Sequence, residues 1–202
     1  MAVTKKFSAD RVRQAYTAGL RDFGENYVQE FAEKQSELAD LADARFHLIG
    51  HLQSNKVKLA CNLFAVVQTI DSAKLMWRLD KAAAERGTQL EALIELKLSS
   101  EASKSGALPE YLPELLDTAR KCNHLTVSGL MTMPPWSEDA EQSRTYFQEL
   151  ARLARKYSLN ELSMGMSNDF EVAVEEGATM IRLGTALFGS RPKPNPGDST
   201  QL

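Results

Sequence analysis

The chain has 202 residues, 43% of them hydrophobic and 25% charged, with 24 Lys and Arg against 27 Asp and Glu for a net charge of −3. That balance suits a globular protein with one sizeable core, and it offers no basic stripe to a nucleic acid. No apolar run approaches the roughly 20 residues of a membrane span, the start MAVTKKFSAD lacks a secretory apolar core, and Cys61 and Cys122 make neither a metal spacing nor a disulfide framework, which fits a reducing cytoplasm.

Short β-like runs alternate with helical ones along the chain. Residues 2–5 read as a strand, 8–18 as a helix ended by Gly19, and 22–26 as a strand that turns at Gly24. Residues 27–39 carry a strong amphipathic helix pattern. A strand at 46–49 closes on Gly50, a short helix at 55–61 follows, and 64–69 is an apolar strand. Ser72 is the N-cap and Gly87 the stop of a helix over 72–86. A strand at 90–98, a helix at 111–121 and a strand at 125–131 lead into Thr132-Met133-Pro134-Pro135, and the longest helix spans 138–157. The end of the pattern is a strand at 162–164, a small-residue turn at 165–169, a helix at 170–176 stopped by Gly177, and a strand at 180–183 that runs into Gly184-Thr185.

Strands alternating with helices imply parallel βαβ units. Eight strands with seven helices between them favour a closed (β/α)8 TIM barrel, an α/β fold, over an open doubly wound sheet, and no G-x-G-x-x-G follows the first strand. The expected organisation is one barrel domain over 1–190 and a flexible, proline-rich tail over 191–202.

In such a barrel, function gathers where strands end, and the loops after strands 7 and 8 are the usual phosphate cradle. Here those loops are 165–169 and Gly184-Thr185. The strand ends offer Lys5, Asn26, His47, His51, Thr69, Lys97, Met131, Ser163, Ser167, Arg182 and Thr185. Alternation places Met180, Arg182 and Gly184 on one face and Ile181 and Leu183 on the other. With the latter two against outer helices, Arg182 points into the barrel mouth, where a guanidinium needs an acceptor or an anionic neighbourhood. A lysine, a buried arginine and a phosphate loop together fit a phosphorylated aldehyde cofactor. Lysine condenses with a carbonyl when its amine is neutral, which burial and nearby positive charge promote. An arginine facing a pyridine nitrogen donates a hydrogen bond and cannot give up its proton, so the ring nitrogen stays unprotonated. Ser167, Gly184 and Thr185 would hold the phosphate through N–H groups and hydroxyls.

Other readings of the same residues stand beside these. Spacing does not choose between Lys5 and Lys6. Arg182 equally suits half of a structural ion pair. Ser167-Asn168-Asp169 also reads as a helix N-cap, with Asn168 and Glu171 as a loose capping box, a role compatible with anion binding. His47 and His51 are separated by Ile49-Gly50, which argues against a metal pair and makes His47 a satisfied barrel histidine. Met131, Met133, Met164 and Met166 suit packing.

Several longer blocks are more specific in combination: Ala2-Val3-Thr4-Lys5, Phe23-Gly24-Glu25-Asn26-Tyr27-Val28-Gln29-Glu30, the run from His47-Leu48-Ile49-Gly50-His51 to Lys56, Ser103-Lys104-Ser105-Gly106, Gly129-Leu130-Met131, Leu162-Ser163-Met164-Gly165-Met166-Ser167, and Ile181-Arg182-Leu183-Gly184-Thr185-Ala186-Leu187-Phe188-Gly189. Over nearly its whole length the chain resembles the pyridoxal-phosphate-binding homeostasis proteins, a single-domain group similar in fold to the barrel of alanine racemase. The resemblance implies pyridoxal 5'-phosphate (PLP) as a covalent aldimine on Lys5, Arg182 near the pyridine nitrogen, and Ser167, Gly184 and Thr185 at the phosphate. It further implies that Asn26, His47 and Met131 line the cofactor pocket. The implied role is PLP homeostasis (binding, buffering and delivery to PLP-dependent apo-enzymes) by a cytoplasmic monomer, with no metal, nucleic acid or membrane and no established turnover.

The alternatives are a PLP-dependent amino-acid racemase or lyase of low activity and a sugar-phosphate barrel enzyme that uses the phosphate site alone. A racemase needs a second acid/base group on the far side of the cofactor, and no second domain follows Gly189 and no tyrosine follows Tyr157 to supply one. Members of the resembled family begin with an additional helix, whereas this chain starts inside the first strand. The expectation is a first strand held less firmly, with weaker cofactor retention.

Overall fold

The computed structural model describes residues 1–101 and 105–189, so the expected tail at 191–202 and the Ser103-Lys104 part of one motif lie outside the described residues. Eight parallel strands pair in sequence order: β1 Ala2–Val3, β2 Asp22–Glu25, β3 Arg45–Leu48, β4 Val66–Ile70, β5 Leu90–Glu95, β6 Leu125–Met131, β7 Glu161–Met166 and β8 Met180–Arg182. The sheet returns on itself where Val3 N–H donates to Leu183 O at 2.8 Å and Leu183 N–H to Met1 O at 3.1 Å, with a parallel bridge between Ala2 and Leu183. The connecting helices are α1 Ala9–Thr17, α2 Val28–Lys34, α3 Val57–Leu63, α4 Ala73–Arg86, α5 Leu112–Ala119, α6 Arg144–Lys156 and α7 Phe170–Glu175, followed by α8 Thr185–Phe188. Among the described residues no helix is long and apolar enough to cross a membrane.

Alternation along the strands decides which residues face the helices and which face the barrel axis. Phe23 and Phe46 are register partners on β2 and β3 and stack at 5.4 Å. Phe31 of α2 packs on Phe46 at 4.5 Å and on Phe64 at 5.0 Å, so this aromatic group lies between sheet and helix. The alternate positions Asp22, Gly24 and His47 therefore turn toward the barrel interior. Such aromatic contacts add about 0.5–1.5 kcal/mol each beyond the area they bury.

The expected boundaries differ from the observed ones where local backbone chemistry intervenes. β7 runs on through Gly165 and Met166 instead of ending at residue 164. Gly165 sits there at φ +88°, and a Cβ on it would lie 2.5 Å from Ala173 Cβ, so glycine is what lets α7 pack directly against the strand. The longest helix is α4, with 14 residues, not the one at 138–157, where α6 has 13. There Asp139 accepts from Glu141 N–H and a 3-10 turn over Ala140–Ser143 precedes α6. α4 is bounded as expected: Ser72 Oγ accepts from Leu75 N–H at 3.4 Å, and Gly87 takes the left-handed conformation at φ +67°. The four-residue α8 was not expected, because it has neither a side-chain cap nor the length to show a period.

Candidate functional site

At the C-terminal ends of the strands a cavity of about 230 Å³ opens. Lys5 reaches it from beyond β1, Asn26 from the end of β2, Ser167 from the end of β7, Arg182 from β8, and Gly184 and Thr185 from the start of α8. Pro135 and Trp136, from the loop after β6, form part of the rim, and Trp136 is 72% exposed. His47 and Met131 are buried in the barrel, but the cavity wall does not include them.

The backbone separates Lys5 from Lys6. Thr4 Oγ1 donates to Glu25 Oε1 at 2.7 Å on the helix side, so Val3 and Lys5 face the cavity. Lys6 is exposed at φ +62°, and its N–H donates to Glu30 Oε1. α2 grips this turn from behind. Buried Lys34 donates to Thr4 O and Phe7 O, each at 3.1 Å, and pairs with Glu25 Oε1 at 2.8 Å. Burial pushes the Glu25 carboxyl up, opposed by Lys34 and Thr4.

Arg182 is 3% exposed, and its acceptors are neutral: Nη1 donates to Ser163 Oγ at 2.9 Å and Nη2 to Thr132 O at 2.8 Å. Among the described residues no carboxylate lies within 4.0 Å of it, so the ion-pair reading of Arg182 gives way to hydrogen bonding with uncharged groups. Burial pulls the guanidinium down to about 10, while Glu95 and Asp169 act in the other direction, and it remains a cation at neutral pH. Burial and repulsion from Asp71 push the Glu95 carboxyl up to about 7 against the pull of Arg182.

Below the cavity the polar contacts continue inward. Ser163 Oγ lies 2.6 Å from Gln68 Oε1, Gln68 Nε2 lies 3.0 Å from His47 Nδ1, and His47 Nε2 lies 2.9 Å from Asp22 Oδ1. Glu95 and Gln68 were both missed in reading the sequence. The signal was a carboxylate or amide within a largely apolar strand, Glu95 in LEALIE and Gln68 in VVQTI, which period-two alternation can turn inward.

One side of the cavity is built from two loops, those after β7 and β8. Ser167 Oγ accepts from Ala186 N–H at 3.2 Å, which joins the end of β7 to α8. Phe188 of α8 rests on Phe7 at 5.0 Å, beside the turn that carries Lys5. The main-chain N–H groups of Gly184 and Thr185 have no acceptor among the described residues. The Asn168–Glu171 capping box does not form. Asn168 instead donates to Ser137 O at 2.7 Å, and Asp169 holds Met166 N–H at 2.7 Å and the Ser143 hydroxyl at 2.8 Å.

Asn26 Oδ1 is buried with no hydrogen-bond partner among the described residues. Its backbone is fixed by Gly50, where a Cβ would come 2.1 Å from Asn26 O. An unsatisfied buried acceptor of this kind costs about 1–3 kcal/mol, which a ligand donor would offset. A lysine amine, a donor-only guanidinium, an unmet acceptor and two open N–H groups beside a serine and a threonine thus share one cavity. This set suits a molecule bearing a carbonyl, a ring acceptor, a hydroxyl and an anionic group.

Residues 1–192 match the family model described as alanine racemase, N-terminal domain. A pyridoxal phosphate homeostasis protein of Aquifex aeolicus is 41% identical across 95% of this chain and 86% of its own length. One from Pseudomonas aeruginosa is 44% identical across 95% of this chain and 84% of its own. The structure of PipY from Synechococcus elongatus with PLP bound superposes with a TM-score of 0.86 at 40% identity, covering 94% of this chain and 91% of that one.

Proposed function

The chain belongs to the pyridoxal phosphate homeostasis protein family, and we propose that it binds pyridoxal 5'-phosphate at the barrel mouth and acts in PLP homeostasis by holding, buffering and delivering the cofactor. The observation that carries this reading is that Lys5, Arg182 and the Gly184-Thr185 turn face one cavity. Bound there, the cofactor supplies an aldehyde carbon that can pass reversibly from one amine to another.

Lys5, which lines the cavity, would hold the cofactor's aldehyde carbon through its amine. Arg182, cationic and donor-only, would hold the ring side of the cofactor and leave its nitrogen unprotonated, which would weaken the ring as an electron sink and favour storage over turnover. Ser167, Gly184 and Thr185 take the phosphate through hydroxyls and main-chain N–H groups. Asn26 Oδ1 would accept from a donor on the bound molecule. His47 and Met131 support the wall from beneath. Cytoplasmic residence, a monomeric state and delivery to PLP-dependent apo-enzymes belong to the same reading.

The test is the absorbance spectrum of the purified protein incubated with PLP, before and after borohydride reduction, with mass mapping of the modified lysine. A yellow protein labelled at Lys5, colourless as Lys5→Ala and coloured as Lys6→Ala, is the expected result. A label on another lysine, or no colour at all, would overturn the assignment. Holo-protein incubated with single L-amino acids in deuterated water supplies the second arm: α-proton exchange faster than roughly 1 per second would make this an enzyme and not a carrier.

A further inference from the structure

A file of five side chains crosses the barrel interior from the cavity to the opposite end: Arg182, Ser163, Gln68, His47 and Asp22. The inner members are almost wholly buried, with Gln68 and Ser163 at 0% and His47 at 1% exposure. Taken singly, the inner links could run in either direction. The two ends restrict that freedom, because a guanidinium has only donors and a carboxylate only acceptors.

From the arginine end, Ser163 Oγ must accept from Nη1, and with Gln68 Oε1 at 2.6 Å its one hydrogen goes to that oxygen. That orientation turns the Gln68 amide nitrogen toward His47 Nδ1, which has to accept. An imidazole that accepts at Nδ1 carries its proton on Nε2, and Nε2 donates to Asp22. From the carboxylate end a neutral imidazole gives the same direction, because Nε2 must donate to Asp22 and Nδ1 is then left with only a lone pair. The second amide hydrogen of Gln68 faces Met180 Sδ at 3.0 Å, a weak acceptor.

The geometry points to Gln68 as a positioning residue that sets the direction of this file, holding His47 as the neutral Nε2–H tautomer and Ser163 as an acceptor for Arg182. A glutamine can do this because its amide joins an acceptor to a donor across one plane. The guanidinium is pinned through two of its five N–H groups, to Ser163 and Thr132, and the others remain for a ligand acceptor. The ligand part of the inference rests on the PLP reading above; the direction of the file does not.

The experiment is ring-nitrogen NMR of histidine-labelled full-length protein, with and without PLP. There are three histidines, and His47 is assigned by its loss in His47→Asn. Wild type should show a neutral His47 protonated at Nε2 in both states. Gln68→Glu, whose carboxylate cannot donate, should protonate Nδ1. If that variant does not fold, Ser163→Ala, which frees the amide to turn, should bring up an Nδ1–H form. Wild-type His47 found as Nδ1–H or as imidazolium, or a signal unmoved by either variant, would overturn the directional file. In a PLP titration followed by absorbance, Gln68→Met should weaken binding about tenfold, the equivalent of one buried hydrogen bond. Unchanged affinity there would overturn the positioning role. Wild type that takes up no PLP would sink the cofactor reading, with the tautomer result still deciding the direction of the file.

Discussion

Arg182 and Ser163 meet at 2.9 Å inside the barrel, the guanidinium donating and the hydroxyl accepting. The contact ties β8 to β7 and points a buried cation at neutral oxygens while Glu95 and Asp169 stabilise it from further off. A direct carboxylate partner would neutralise the guanidinium; this arrangement keeps its charge available to the cavity it lines.

Arg182→Met should therefore separate structure from binding. Ser163 loses a donor and Thr132 O is left without one, at a cost of about 1–3 kcal/mol. The ligand-free protein should stay folded, with a lower urea midpoint, and should no longer hold PLP through gel filtration.

Asn26→Ala is expected to behave in the opposite way to an ordinary buried polar truncation. Its Oδ1 has no partner to lose, so the urea midpoint should be unchanged or slightly raised. PLP affinity, measured by absorbance titration, should fall about tenfold as the ligand donor loses its acceptor.

Glu95 gives the fold a pH dependence of definite sign. Its carboxyl is pushed from 4.5 to about 7 in the folded chain, by burial first and by Asp71 second. Between those values the folded state keeps a proton that the unfolded chain has released, so stability falls as pH rises from about 4.5 to about 7 and levels off above. The loss is on the order of 3 kcal/mol. Urea unfolding at pH 5 and pH 8 should show that difference between wild type and Glu95→Gln, which lacks the titrating group.

Lys34 is the clamp behind the Lys5 turn. Lys34→Met strands the Glu25 carboxylate in the interior and should cost about 3–5 kcal/mol, most of it recovered in Lys34→Met/Glu25→Leu. Denaturation of the four proteins gives the coupling. Hydrogen exchange at the Val3 and Thr4 amides, bonded to Leu183 O and Gly24 O, should quicken in Lys34→Met. Even in wild type, the two-residue β1 should exchange ahead of β5 and β6.

Much of the architecture was legible because it is written in local chemistry. The alternation of strand and helix, Ser72 and Gly87 at the ends of α4, and the face carried by Met180 and Arg182 all depend on near neighbours. What went unread was either too short to show a period, as in α8, or disguised. Gly165 looked like a turn but sits within β7, because only packing against Ala173 shows why a strand would need a left-handed residue there. Glu95 and Gln68 were hidden in largely apolar strands, and nothing local says whether a polar side chain there will meet a partner.

The sequence by itself determined a parallel barrel with a lysine, an arginine and two small-residue loops at strand ends, since periodicity and residue type settle which face a side chain takes. Only the tertiary structure decided that Lys5 and not Lys6 faces the cavity, that Arg182 bonds neutral oxygens, and that His47 lies below the wall. Each of those depends on residues from distant strands brought within about 3 Å, the distance at which a hydrogen bond's direction is defined and which sequence separation does not encode.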